Sequence, residues 1–223
     1  MDDAVTGGIE VRGERVGLRF PGQVAPLLDN LSFVLEPGTC TLLCGPSGSG
    51  KTSLLLLLLG MQRPTEGALL LDGQDITGWP ERRMAVFRRR NIGVVFQRLH
   101  VLEHLRVWEN LLLAGGASPE PSKSAIEAAL REVDLWPLAQ RPTWQLSTGE
   151  QQRLAIARAL ITEPRLVLAD EPTSSLDDAQ AERVLELLLR AQRRGATLFV
   201  ATHDQRVVQH VPRVWRLQQG RLA

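Results

Sequence analysis

The chain of 223 residues has no tyrosine, two cysteines, no long apolar segment and no excess of charge of either sign. Its longest strictly apolar run, Leu54 to Leu59, is far short of the roughly 20 residues that cross a bilayer, so we expect no direct membrane insertion. The 26 Lys and Arg residues against 25 Asp and Glu residues argue against a broad nucleic-acid or anionic-membrane surface, since both partners need an excess of positive charge. This balance leaves room for a local basic patch.

Two cysteines are too few for a disulfide framework. Because disulfide frameworks are typical of secreted proteins, their absence from the sequence favours a cytosolic chain. Cys40 and Cys44 stand in an apolar stretch, where free cysteines usually behave as small buried hydrophobic residues. A redox pair is the alternative. The length fits one large domain or a domain with an inserted subdomain, and the hydrophobic fraction of 43% can supply a full core.

The order of apolar patterns predicts an α/β fold. Strands are expected within residues 9–44, where the run 40–44 is apolar enough to be buried on both faces of a parallel sheet. A glycine-rich loop and a helix from Lys51 to Met61 follow. The pattern is helical from about 99 to 158 and then returns to strand, helix and strand. The sequence therefore predicts an α/β core with a helical subdomain inserted after about residue 98.

Five arginines lie close together in one predicted helix. A solvated helix face is the favoured interpretation and a nucleic-acid site is the alternative. They are Arg82, Arg83, Arg88, Arg89 and Arg90.

A phosphate-binding loop of the form G-x-x-x-x-G-K-[ST] lies between a predicted strand and a predicted helix. Glycines allow the backbone to wrap around phosphates, and the helix N-terminus adds partial positive charge. Lys51 is expected to reach the β- and γ-phosphates and Thr52 to offer its hydroxyl to Mg²⁺. The loop consists of Gly45, Pro46, Ser47, Gly48, Ser49, Gly50, Lys51 and Thr52.

The apolar segment 165–171 ends in two carboxylates, those of Asp170 and Glu171. Asp170 is the expected second anchor for Mg²⁺, and Glu171 can polarise the attacking water as a general base. His203 follows the next apolar strand, where a donor can act on the γ-phosphate. Gln97 ends another strand and offers an oxygen to Mg²⁺ or water, and Phe20 can stack on adenine.

The segment Leu146-Ser147-Thr148-Gly149-Glu150 changes the interpretation of all these motifs. With the phosphate loop before it and Asp170-Glu171 after it, the chain resembles the nucleotide-binding subunit of ABC transporters from Ile9 to Leu222. Within that family it is most similar to the lipoprotein-releasing and macrolide-export branch, which includes a cell-division ATPase.

The resemblance implies a P-loop NTPase (RecA-like) core with an N-terminal antiparallel β-subdomain and an inserted α-helical subdomain. It implies one ABC ATPase domain over residues 1–223, with the core and β-subdomain at about 1–98 and 159–223 and the helical subdomain at about 99–158. The implied localisation is cytoplasmic, on the inner face of the cell membrane, next to a separate transmembrane permease. No nucleic-acid partner is expected.

The resemblance also implies an ATPase that forms a homodimer, with each ATP held between two copies. Glu171, His203 and Lys51 are the implied catalytic residues, and Thr52, Gln97 and Asp170 the implied Mg²⁺ ligands. The remaining implied ATP contacts are Phe20, the loop residues, Ser53, Gln97, Ser147, Gly149, Glu150 and the D-loop residue Asp177.

Two departures from the family pattern concern these contacts. The family signature usually reads L-S-G-G-Q, whereas Thr148 and Glu150 stand here in place of a glycine and the glutamine. We expect Thr148 to be tolerated, since Ser147 and Gly149 remain, with an altered affinity of the ATP-bound dimer. Phe20 stands where a tyrosine is frequent and keeps the ring without the hydroxyl.

The segment after Gln97 has two further interpretations. His100 and His104 have a spacing that can bind metal on a helix, but no third ligand is apparent. Apolar residues in the same segment either contact the membrane partner or pack in the core. They are Leu99, Val101, Leu102 and Leu105.

Three roles remain open from the sequence. The first is export of a lipophilic or lipoprotein-type substrate, and the second is an ATP-dependent switch on a membrane partner without transport. The third is a soluble ABC ATPase of DNA repair or translation, which the single cassette disfavours.

Overall fold

The computed structural model describes residues 7–114 and 121–223, and within these ranges the chain forms two β-sheets flanked by helices, as the α/β prediction requires. The strands are β1 (Val11–Leu18), β2 (Leu28–Leu35), β3 (Cys40–Cys44), β4 (Glu66–Leu71), β5 (Gln74–Asp75), β6 (Ile92–Val95), β7 (Leu166–Asp170), β8 (Thr197–Ala201), β9 (Arg213–Gln218) and β10 (Arg221–Leu222). The α-helices are α1 (Lys51–Leu58), α2 (Glu81–Asn91), α3 (Val107–Leu112), α4 (Lys123–Glu132), α5 (Thr148–Leu160), α6 (Asp178–Arg193) and α7 (Gln205–Val208).

The first sheet is antiparallel, with strand order β2-β1-β4-β5, which confirms the predicted N-terminal β-subdomain. Val11 of β1 pairs with Leu35 on one side and with Leu71 on the other. β2 begins three residues before the predicted apolar run, because Leu28 pairs with Leu18 of the neighbouring strand. Cross-strand pairing thus extends the strand beyond its apolar pattern.

The second sheet has strand order β10-β9-β3-β8-β7-β6 and is parallel from β9 to β6. Its inner strands are buried on both faces. Leu42 points into a core shared with the inserted helices, whereas the next residue, Leu43, points into a core shared with α1 and the first sheet. Successive side chains of a strand point to opposite faces of the sheet, and both faces are covered here. Side chains on both faces are therefore buried, which explains the continuous apolar runs of these strands.

The order of the central strands brings distant residues to one edge. β8 lies between β3 and β7, and Ala201 pairs with Leu43 on one side and with Asp170 on the other. The loops that follow these three parallel strands therefore leave the sheet side by side. One is the glycine-rich loop, and the others begin at Glu171 and Thr202.

The helical insert consists of α3, α4 and α5, whose buried faces form one cluster. α5 does not end with the insert. It runs to Leu160, so the predicted boundary at 158 falls inside this helix. A side chain at Gly93 of β6 would overlap the carbonyl oxygen of Ala159, which shows how closely the end of α5 packs on the core sheet. Residues 115–120 of the predicted insert lie outside the described residues.

The segment after β6 divides its apolar side chains between core and surface. Val101 is half-buried and packs against the core, whereas Leu102 is 48% exposed.

Cys40 and Cys44 are free and partly rather than fully buried, and burial raises the pKa of the Cys40 thiol to about 12.

The arginines of α2 mostly face water, as a solvated helix face requires. Arg88 differs from the others, because it is half-buried, pairs with Glu81 and donates to the carbonyl oxygen of Leu59 at 3.3 Å. The exposed members are Arg82, Arg83, Arg89 and Arg90.

Within residues 7–114 and 121–223, none of the helices has both the length and the apolar character needed to cross a membrane.

One buried asparagine joins the start of the insert to the turn before α5. Asn110 is fully buried, and its Oδ1 accepts from the Leu102 N–H at 2.8 Å. Its Nδ2 contacts the carbonyl oxygens of Leu102 and Arg106 and the Thr143 hydroxyl at 2.9–3.2 Å. This side chain therefore fixes a loop that has little secondary structure of its own.

We expect Asn110→Ala to lower the free energy of unfolding by about 2–3 kcal/mol, because it leaves several buried polar groups without a partner. Chemical denaturation measures the loss. Asn91→Ala is the matched control, since the Asn91 amide makes one hydrogen bond, to the Phe87 carbonyl oxygen, and its loss should cost about 1 kcal/mol. Equal losses in the two variants would contradict the role of Asn110.

Candidate active site

A cleft of about 380 Å³ opens at the carboxyl edge of the parallel sheet and collects most of the predicted site residues. It is lined by Leu27, Pro46, Ser47, Gly48, Gly50, Lys51, Thr52, Ser53, Gln97, Asp170, Glu171 and His203.

The floor of the cleft is the loop between β3 and α1. Gly50, the N-cap of α1, has φ of +104°, and no side chain caps the helix. Gly48 has φ of +77°. These left-handed conformations suit glycine, and the N–H groups of the first turn of α1, which no side chain caps, are the kind of donors that an anion can satisfy.

Lys51 lies at the inner side of this loop and is only 8% exposed. Its Nζ donates to the carbonyl oxygens of Gly45 at 2.9 Å and Pro46 at 3.3 Å. The same atom lies 3.6 Å from Oε1 of Glu171, whose side chain is equally buried. A buried charge is stable only with such partners, so the ammonium is held in the cleft rather than in solvent.

Asp170 ends β7 and contacts the loop directly. The Thr52 hydroxyl donates to its Oδ2 at 2.7 Å. Its Oδ1 is buried and has no hydrogen-bond partner among the described residues. Burial raises the pKa of Asp170 above its usual range, against the lowering effect of the Thr52 hydrogen bond. The site therefore holds a carboxylate oxygen directed at no protein donor.

Glu171 is held by the segment that follows β8. It has φ of +47°, an uncommon conformation for a residue with a side chain, and its N–H donates to the carbonyl oxygen of Ala201 at 2.7 Å. Its Oε2 accepts from the Thr202 hydroxyl at 2.8 Å, and Oε1 lies 2.8 Å from Nδ1 of His203. The strained backbone thus places this carboxylate between Lys51 and His203.

Three predicted ATP contacts from the first part of the chain do not line the cleft. A side chain at Gly45 would overlap the Leu217 carbonyl oxygen, so close packing under the loop accounts for this glycine. Ser49 is buried against Gly45, and its hydroxyl has no partner among the described residues. Phe20 is 38% exposed in the turn after β1.

The signature segment lies elsewhere. Ser147 is the N-cap of α5, and its N–H and hydroxyl both donate to Oε2 of Glu150, at 2.8 and 2.9 Å. This capping box explains a glutamate at this position, since the carboxylate also suits the positive end of the helix. Thr148 follows it and is exposed. None of these residues lines the cleft of their own chain.

The signature glycine packs against the start of α6. A side chain at Gly149 would overlap Oε1 of Gln180. Gln180 donates through its N–H and its Nε2 to the carboxylate of Asp177, the N-cap of α6, each at 2.8 Å. Asp177 therefore acts as a helix cap here and also lies outside the cleft.

Sequence reasoning missed two residues of the site. Leu27 lines the cleft, but it follows a stretch without a periodic pattern, and only the packing of Leu27 against Gly50 places it there. Thr202 was not among the predicted site residues, although its hydroxyl donates to Oε2 of Glu171. Its position next to His203 was the available signal.

The arrangement suits the chemistry of a polyphosphate. Backbone N–H groups and Lys51 offer positive charge, Thr52 and Asp170 offer oxygen ligands, and Glu171 lies where it can accept a proton from water.

A family model described as ABC transporter matches residues 28–174. The lipoprotein-releasing system ATP-binding protein LolD of Syntrophus aciditrophicus is 37% identical over 218 residues, which cover 96% of this chain and 98% of that protein. The cell division ATP-binding protein FtsE of Escherichia coli K12 is 41% identical over 197 residues, 87% of this chain and 88% of that protein.

A solved structure has the same fold over nearly its whole length. It is described as a dimeric, post-hydrolysis state of the ATP-binding cassette MJ0796 bound to ADP and Pi. It is 30% identical to this chain, with a TM-score of 0.87 and coverage of 95% of this chain and 96% of that one. On the family model and these relatives, the chain belongs to the ABC transporter family and is an ATPase cassette of that family.

Proposed function

We propose that this chain is the ATP-hydrolysing subunit of an ABC transporter and works as a head-to-tail homodimer on a separate membrane permease. The observation that carries the proposal is the division of the predicted ATP contacts between two places. The cleft holds the loop, Asp170, Glu171 and His203, whereas Ser147 and Gly149 lie outside it. A second copy, turned head to tail, would bring the latter pair to the open side of the cleft.

The residues of the cleft have distinct proposed roles. Lys51 and the loop N–H groups bind the β- and γ-phosphates. Glu171 accepts the proton of the attacking water, and His203 donates to an oxygen of the γ-phosphate. The 2.8 Å contact between His203 and Glu171 supports a joint role, since one segment positions both groups. Phe20, an exposed aromatic residue in the segment after β1, is the proposed stacking partner of adenine.

The donor set also fits Mg²⁺, a cation that prefers oxygen ligands in octahedral geometry. Thr52 and Asp170 already contact each other, Gln97 lines the same cleft, and Oδ1 of Asp170 has no partner among the described residues. We propose these three residues as its ligands. When bound, Mg²⁺ neutralises phosphate charge.

The dimer is supported by the description of the related cassette MJ0796 as dimeric. Here Ser147 lies at the exposed N-terminal end of α5, and we propose that its hydroxyl turns from Glu150 to a phosphate of the other copy when the dimer forms. Thr148 is exposed at the same end, so its β-branched side chain would meet the other copy.

Export of a lipophilic or lipoprotein-type substrate is the proposed transport role, supported by the similarity to LolD over 96% of the chain. An ATP-dependent switch on a membrane partner is the second candidate, supported by the 41% identity to FtsE. In both cases we propose a cytoplasmic subunit on the inner face of the membrane.

We expect Asp170→Asn to raise the melting temperature by about 2–4 °C in EDTA without nucleotide, since it removes a buried charge that has one unpartnered oxygen. The same variant should lose Mg²⁺-dependent ATPase activity. Glu182→Gln, an exposed position on α6, is the control and should change neither measurement. A melting temperature of Asp170→Asn below that of the wild-type protein would show that the buried Asp170 charge does not destabilise the fold, which would contradict this expectation.

We expect Glu171→Gln to lower kcat by about 100-fold or more, because the amide cannot accept the proton of the attacking water. With ATP and Mg²⁺ this variant should accumulate as a dimer in size-exclusion chromatography with light scattering. Adding Lys51→Ala should abolish that dimer. If Glu171→Gln binds ATP and remains a monomer, the head-to-tail proposal is wrong.

We expect tagged Glu171→Gln, purified with ATP from solubilised membranes of the source organism, to retain a membrane protein. A permease with a large periplasmic domain supports export, and a cell-division membrane protein supports the switch. Mass spectrometry identifies the retained protein. If Lys51→Ala and Glu171→Gln retain the same membrane protein, docking on that protein does not require ATP binding. If neither variant retains a membrane protein, both proposed roles are contradicted.

A further inference from the structure

Arg206 lies in the short helix α7, three residues after His203, and binds the carboxylate of Asp204. Its Nε lies 2.9 Å from Oδ1, and its Nη2 lies 2.7 Å from Oδ2. Asp204 is itself the N-cap of α7, since its Oδ1 accepts from the Arg206 N–H at 3.0 Å. These hydrogen bonds hold the pKa of Asp204 down at about 2. The two side chains form a bidentate pair of fixed geometry.

The other side of the same guanidinium binds both ends of the D-loop, residues 174–177. Nη2 donates to the Thr173 carbonyl oxygen at 3.3 Å, before the loop. Nη1 donates to the Leu176 carbonyl oxygen at 3.3 Å and to Oδ1 of Asp178 at 2.7 Å, at its far end. One side chain therefore ties the segment after β8 to the loop between β7 and α6.

A continuous series of hydrogen bonds connects this pair to Glu171. The Asp204 N–H donates to the Thr202 hydroxyl at 3.0 Å, and that hydroxyl donates to Oε2 of Glu171 at 2.8 Å. Thr173 adds a cross-link, because its hydroxyl donates to Oδ2 of Asp204 at 2.7 Å. Thr202 and Thr173 are both buried, so their hydroxyls have few alternative partners.

The contacts of Arg206 differ in what they contribute to folding. The pair with the almost fully exposed Asp178 contributes little, whereas the bidentate pair with Asp204, whose side chain is 11% exposed, also stabilises the fold. What the guanidinium provides is geometry, since its planar fork can bind a carboxylate and several carbonyl oxygens at once. Lysine, with one ammonium, cannot span Asp204 and the D-loop together.

We propose that Arg206 is a positioning residue for ATP hydrolysis. It fixes the segment that carries Thr202 and His203 against the D-loop, and through Asp204 and Thr202 it holds the Glu171 carboxylate in place. The inference rests on the proposed function and deepens it, since it names a residue outside the cleft on which the catalytic geometry depends.

The test is the steady-state ATPase activity of Arg206→Leu and Arg206→Lys. Arg206→Leu should lower kcat about tenfold, while the dissociation constant of a fluorescent ATP analogue changes less than twofold. The melting temperature should fall by about 2–6 °C, because Asp204 loses its bidentate partner. Arg206→Lys should lower kcat about threefold, because the charge remains and the fork is lost.

Arg190→Leu is the matched control, since Arg190 is 41% exposed on α6 and pairs with Glu186 away from the cleft. It should leave kcat unchanged. A kcat for Arg206→Leu within twofold of that control would overturn the proposal. So would a loss of ATP-analogue affinity as large as the loss of kcat, which is the signature of a structural role.

A double-mutant cycle tests the route through Thr202. Thr202→Val removes the hydroxyl while keeping the shape of this fully buried side chain. In that background, Arg206→Leu should lower kcat by less than a further twofold, because the connection is already broken. Independent, multiplicative losses would overturn the proposed route.

The wild-type protein and Lys51→Ala separate this inference from the proposed function. If the wild-type protein shows no ATPase activity that depends on Lys51, the proposed function itself fails. If that activity is present and Arg206→Leu retains it, only the role of Arg206 is wrong.

Discussion

The structure of the site depends on one buried ion pair, between the Lys51 ammonium and the Glu171 carboxylate. Their closest charged atoms lie 3.6 Å apart, and both side chains are 8% exposed. Burying two charges is unfavourable unless each also finds hydrogen-bond partners. The loop supplies two carbonyl oxygens to Lys51, and the segment after β8 supplies Thr202 and His203 to Glu171. The glycine-rich loop, the end of β7 and the segment after β8 are distant in the sequence. They meet here because the two buried charges must be compensated.

The parallel sheet makes that compensation possible. β8 lies between β3 and β7, so the loop, the carboxylates and the histidine leave adjacent strands at the same edge. Asp170 and Glu171 are successive residues with different surroundings. Asp170 remains in the ladder opposite Ala201, while the left-handed backbone at Glu171 turns the chain out of the strand. Two neighbouring carboxylates therefore have different surroundings, which is consistent with the separate roles we propose for them.

Comparison of the sequence with the structure shows which residues can be predicted and which cannot. Lys51, Thr52 and Asp170 lie in strong local patterns, and the structure brings them into one cleft as expected. Leu27 and Thr202 lie in no such pattern, because their positions depend on contacts with Gly50 and Glu171. Helix α5 was predicted only to 158, since nothing in its pattern marks the change from the insert to the core sheet. The contact between Gly93 and the end of α5 marks it in three dimensions.

The sequence by itself determined the α/β fold and the phosphate loop, because glycine spacing, apolar runs and terminal carboxylates are local properties of the chain. It indicated the family through the resemblance carried by the signature segment 146–150. Only the tertiary structure decided how these parts are joined. Whether Gln180 covers Gly149 and whether Arg206 reaches the D-loop both depend on distances between residues that the sequence pattern leaves unrelated. The physical reason is that hydrogen bonds and close packing are set within a few tenths of an ångström, whereas a sequence pattern specifies only which face of an element a residue occupies.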